Sequence, residues 1–68
     1  PARAYLLRAA ALAEAAAKAG RPADQRAVAD ALRRAVELDP ALRTEIASFP
    51  ALKPLPTDKW LSDPPAPR

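Results

Sequence analysis

VADALRRAVELDPALRTEIASFPALKPL, residues 28–55, carries the signals that decide the fold. Val28, Ala31, Leu32, Ala35 and Val36 recur at helical steps and fall on one face. Arg26, Asp30, Arg33, Arg34 and Glu37 fall on the other. Arg26–Asp30, Asp30–Arg34 and Arg33–Glu37 set opposite charges four residues apart, within ion-pair reach on a helix. This spacing predicts a helix over about 24–38 with Asp24 as its N-cap. Asp39-Pro40 then breaks the run. Proline disfavours helical geometry in the residue before it and suits the first position of a new helix, which makes Asp39 the expected N-cap of a third helix over about 40–48. Leu42, Ile46 and Phe49 share one face of that helix, and Pro50 stops it.

Upstream, PARAYLLRAAALAEAAAKA reads as a helix over about 2–19, since Ala is the strongest helix former and Leu, Arg, Glu and Lys follow it. Gly20 and Pro22 punctuate its end. Tyr5, Ala9, Leu12, Ala16 and Ala19 form an apolar stripe. Arg3, Glu14 and Lys18 form a charged side, with Glu14 and Lys18 paired across one turn. Leu7 falls on the charged side and Leu6 between the two. The helix is therefore apolar around much of its circumference, and its small side chains invite close approach by a neighbour. Arg3 and Arg8 precede the apolar run Ala9–Ala13, but Glu14 and Lys18 follow at once, so a helix is expected there and not a targeting peptide.

Downstream, FPALKPLPTDKWLSDPPAPR holds six of the nine prolines. Leu52, Leu55, Trp60 and Leu61 make it too apolar for a linker. An extended segment packed against the helices is expected, with one helical turn at 57–62 capped by Thr57 or Asp58. Residues 63–68, DPPAPR, are expected to form an extended, mobile, Pro-rich tail. The fold class is thus all-α: an antiparallel helical hairpin, a short third helix and a Pro-rich apolar tail. Residues 1–62 make one module.

Composition bounds the function. Half of the 68 residues are hydrophobic, but Ala supplies most of these, and fifteen larger apolar side chains remain. A chain this short usually leans on a disulfide, a metal or a partner surface. With no Cys and no His, disulfides, thiolate sites and imidazole ligands are absent, and a protein partner or the remainder of a larger chain is the expected helper. The net charge of +3 comes from 11 basic and 8 acidic residues, a mild bias. No apolar run is long enough to span a membrane.

Chemistry finds few footholds. Asp30 and Glu37 share an exposed face, but each has an Arg four residues away that would hold it ionised, the wrong tuning for a general acid. Thr44, Ser48, Thr57 and Ser62 sit where hydroxyls serve caps and turns. Gly20 is the only glycine, so no Gly-rich phosphate loop exists, and the acidic residues lack calcium-loop spacing. Arg26, Arg33 and Arg34 are interleaved with acids. Arg3, Arg8, Lys18 and Arg21 do not form one face, which leaves no strong nucleic-acid signal. No catalytic residue, cofactor or metal is assigned.

ADALRRAVELDP resembles the second helix of a tetratricopeptide repeat. There a Pro closes the repeat, with a small residue five positions before it and a bulky apolar one eight before it; here these are Pro40, Ala35 and Leu32. Ala16 and Leu12 match the small and large positions of the repeat's first helix. Val28 stands where the repeat prefers Ala, Ala19 where it prefers Tyr, and Gly20 and Pro22 end the first helix early. LRTEIASFPALKPLPTDKWL looks like the closing segment after the last repeat in many bacterial repeat proteins. The resemblance covers about half the chain and implies the C-terminal end of a helical array or a free-standing hairpin like one. Ordinary three-helix packing gives the same pattern.

The expected function is a non-catalytic protein–protein interaction or structural module that buries apolar helix faces against a partner. Leu6, Leu7, Leu52, Leu55, Trp60 and Leu61 are the expected contacts, since buried aromatic and clustered apolar anchors tend to dominate interface energy. One alternative is an accessory subunit or tail segment lying along a large assembly, with few contacts between residues 1–20 and 40–61. Another is a weak polyanion binder.

Overall fold

The computed structural model describes residues 1–62 and contains, in order, α1 (Ala2–Ala19), α2 (Gln25–Leu38), α3 (Leu42–Ile46), a 3₁₀ turn (Pro50–Leu52) and α4 (Thr57–Ser62). Among the described residues there is no strand. α1 and α2 pack together as the expected hairpin, and α3, the 3₁₀ turn and α4 lie on it. The tail expected at 63–68 lies outside the described residues.

The turn between α1 and α2 is tightly specified. Gly20 adopts φ 70° and ψ 29°, the left-handed region. Its N–H donates to the Ala17 carbonyl at 3.2 Å and the Arg21 N–H donates to the Ala16 carbonyl at 3.1 Å. These two bonds are the Schellman pairing that satisfies the last carbonyls of a helix. Four residues later the Asp24 Oδ1 accepts from the Ala27 N–H at 3.2 Å, capping α2 as its sequence predicts.

Asp39 plays a different part from the one expected. It is extended, at φ −148° and ψ 94°, and ends α2 by donating its N–H to the Ala35 carbonyl at 2.9 Å. Its Oδ1 accepts from the Ala41 N–H at 3.1 Å, and its carbonyl accepts from the Leu42 N–H at 3.0 Å. That is an Asx turn, and α3 begins at Leu42 rather than at Pro40. α3 also ends at Ile46, short of residue 48. Beyond it, the N–H groups of Ser48, Phe49, Leu52 and Lys53 each reach back three residues, not four. Pro50 has no N–H to give, and Thr44 and Ser48 hydroxyls donate to the carbonyls of Ala41 and Glu45 at 3.0 and 2.6 Å. Both effects favour short tight turns over a continuous α-helix.

The core is one cluster: Leu6, Ala9, Ala10 and Ala13 of α1, Val28, Ala31, Leu32 and Ala35 of α2, and Leu42, Ile46 and Leu52 from the segment beyond. Val28, Ala31, Leu32 and Ala35 are the expected face of α2, with Val36 half-buried at its edge. α1 is rotated from expectation. Its buried arc is Leu6, Ala9, Ala10, Ala13 and Ala16, while Tyr5 is 37% exposed and Ala19 lies on the surface. So many alanines leave the apolar direction of α1 nearly degenerate, and the one large side chain that fits the seam, Leu6, sets the rotation.

Ion pairing on α2 also departs from the four-residue pattern. Asp30 meets Arg33, three residues on, at 3.8 Å. Glu14 and Lys18 pair as expected, at 3.3 Å. Among the described residues no helix is long and apolar enough to cross a membrane.

Two substitutions test this architecture. A Cβ at Gly20 would meet nothing within 4 Å, so Gly20→Ala is expected to destabilise through backbone strain alone, by about 1–2 kcal/mol. Leu6, fully buried, is expected to cost about 2–5 kcal/mol as Leu6→Ala. Urea titration followed by circular dichroism reads both; equal losses would contradict the different mechanisms.

Candidate interaction surface

Among the described residues, the closing segment packs on one face of the hairpin. The 3₁₀ turn packs on α1, α4 packs on α2, and α3 touches both. Polar contacts fix this layer at its edges. The Arg3 guanidinium donates to both Glu45 carboxylate oxygens, at 2.7 and 2.9 Å. Arg33 Nε donates to the Trp60 carbonyl at 3.2 Å, and Arg43 donates to the Ser62 hydroxyl at 3.2 Å. The two-point Arg3–Glu45 pair joins residues 42 apart in sequence, and nothing in local spacing announces it.

Along the other flank run three hollows lined only by α1, α2, Pro1 and the turn between the helices. The one that spans both helices, of about 350 Å³, is bounded by Tyr5 and Arg8 of α1 and by Ala27, Asp30, Ala31 and Arg34 of α2. Leu12, two turns beyond Tyr5, edges a second hollow near the interhelix turn. Leu38, two turns beyond Ala31, continues the same face of α2 and is 56% exposed. No residue of 40–62 lines these hollows. Among the described residues, Tyr5 and Leu38 are therefore the exposed apolar points of this flank, with Leu12 half-buried at its edge.

The six residues expected to meet a partner are dispersed by the structure. Leu6 and Leu52 are corrections: they are 0% and 1% exposed and belong to the chain's own core, so they have no surface to offer. The hairpin seam is lined mostly by Ala, and it needs large side chains from α1 and from the closing segment to fill it. Leu55, Trp60 and Leu61 are half-buried against that core, and Leu55 and Leu61 border a hollow of about 300 Å³ with Ile46 and Leu52. Leu7 is half-exposed. Tyr5 and Leu12 belong to the apolar stripe read from the sequence, and the structure leaves Tyr5 at the surface and Leu12 half-buried. Leu38 sits at the α2 terminus, where only its spacing from Ala31 marks it.

Several acidic groups serve the structure. Asp24 and Asp39 cap turns, and Glu14, Asp30 and Glu45 face basic side chains. The Asp30–Glu37 pair considered from sequence is not a unit, because Asp30 turns to Arg33. Among the described residues no polar or charged side chain is buried, and no three of His, Cys, Asp and Glu gather as metal ligands would.

These features define the class: an all-α helical hairpin closed on one face by a proline-punctuated segment. No family model, no curated protein and no solved structure matches this chain.

The Arg3–Glu45 pair is partly exposed on both sides, so a double-mutant cycle between Arg3→Ala and Glu45→Ala is expected to give a coupling of up to about 1 kcal/mol that shrinks in high salt. A salt-independent coupling would contradict a surface ion pair.

Proposed function

We propose that this chain is a non-catalytic interaction or structural module that works by burying the open flank of its hairpin against another helical surface, as the end piece of a helical array does. The observation that carries this reading is the asymmetry of the hairpin. Residues 42–62 pack on one face, and Tyr5 and Leu38 stand exposed on the other, with Leu12 half-buried between the hairpin and that surface. An end unit needs that arrangement, with one face turned to its neighbour and one sealed against water. The likeness of Leu32, Ala35 and Pro40 to a tetratricopeptide repeat supports the same reading. A tail segment without its own core is less well supported, because α1 shares its core with Leu42, Ile46 and Leu52.

The contact set that follows is Tyr5, Leu12 and Leu38; Leu7, 51% exposed, lies on the Arg3 side of α1, away from this flank. Leu38→Glu is expected to leave the isolated chain's stability within about 0.5 kcal/mol, since the side chain is mostly exposed. It is expected to reduce binding of a hydrophobic fluorescent dye to the native chain. The isolated chain itself is expected to melt broadly at modest temperature. A strict monomer melting sharply above about 90 °C would contradict dependence on a partner.

A further inference from the structure

The open flank is unevenly charged. Arg8 and Arg34 line the groove beside Tyr5, and Arg21 edges the hollow at Leu12. None of the three forms an ion pair among the described residues. The acids of this flank are engaged: Asp24 accepts from the Ala27 N–H at 3.2 Å, and Asp30 lies 3.8 Å from Arg33. The hollows thus carry three arginines without an ion pair, against Asp30 and Asp24, which already face Arg33 and the α2 cap, so the flank keeps an excess of positive charge.

We propose that this flank receives an amphipathic helix whose apolar ridge is edged by glutamate or aspartate side chains. The inference rests on the function proposed above and names the chemistry of the helix that docks. Docking strips water from Arg8, Arg21 and Arg34, and an acidic edge offsets that loss, whereas a basic edge adds repulsion to it. Nucleic acid fits less well, because phosphates would face the apolar centre and Asp30 stands in the groove. A second copy fits less well too. In a two-fold pair the same patch meets itself, which sets this arginine-rich rim against its own charge.

The test uses the full chain and two synthetic helical peptides of about 15 residues, long enough to lie along most of α1. They share one Leu/Ala ridge and differ in having Glu or Lys along its edges. Fluorescence anisotropy is expected to show the Glu peptide binding at least about tenfold more tightly, with the preference shrinking as salt rises. The double variant Arg8→Glu/Arg34→Glu, checked for folding by circular dichroism, is expected to reverse the preference. If both peptides bind alike and Leu38→Glu weakens both, the interaction module survives and the acidic-helix inference falls. If neither binds, the inference falls, and the monomer melt decides the module separately. A short RNA duplex that binds more tightly than the Glu peptide overturns the inference in favour of a polyanion. A concentration-dependent dimer dispersed by Leu38→Glu overturns it in favour of a second copy.

Discussion

Alanine is what lets α1 and α2 come together, and the rest of the structure follows from that contact. Ala9, Ala13 and Ala35 are all but fully buried in the seam, with Leu6, Val28 and Leu32 as its large fillers. Small side chains permit close approach but remove little apolar area from water, and the hydrophobic stabilisation scales with that area. A hairpin built this way is thin. It needs a further layer, and Leu42, Ile46 and Leu52 supply it. The described residues beyond α2 lay this layer on one face of the hairpin.

The prolines decide how that layer is made. Pro40, Pro50, Pro54 and Pro56 interrupt the chain at short intervals, so a long third helix cannot form. The segment advances instead in tight turns, each with few internal hydrogen bonds. Such a chain holds its course only if its side chains are seated. Leu42, Ile46 and Leu52 seat it from below. Arg3–Glu45, Arg33–Trp60 and Arg43–Ser62 hold it from the rim. The rim contacts are exposed and individually modest, so they set direction more than stability.

The sequence was readable where its residue types discriminate. α2 sorts large apolar from charged side chains so cleanly that its face, its N-cap at Asp24 and its end before Pro40 all follow. Gly20 announces the left-handed stop of α1 because only glycine takes that conformation without strain. α1 itself was readable as a helix but not in rotation. Alanine is apolar yet tolerates exposure, so the stripe through Tyr5 and Leu12 and the arc through Leu6 and Ala13 score alike in a periodic pattern. Asp39 was ambiguous for a related reason: the same carboxylate caps a helix or closes an Asx turn, and the choice lies in the backbone beyond it. The leucines of the candidate site could not be divided from sequence, since Leu6, Leu7, Leu52 and Leu55 are chemically identical. Which of them fill the seam depends on where the closing segment crosses, and that is fixed by contacts as distant as Arg3 with Glu45.

This division bears on what the chain is for. Leu32 and Ala35 are buried in the seam, and Pro40 ends the helix that carries them. Any hairpin of this geometry asks for a large residue, a small residue and a stop in those places. The likeness to a tetratricopeptide repeat and the packing of the hairpin therefore draw on the same residues and do not count twice. The two-sidedness of the hairpin draws on others. Leu38 keeps 56% of its surface exposed in its own fold, and Tyr5 37%. The closing segment brings leucine, isoleucine and tryptophan to one face, and Tyr5 and Leu38 keep exposed surface on another. On the function proposed above, that remaining surface is what a neighbouring helix would cover, and the arginines at its edge would give the docking a sign.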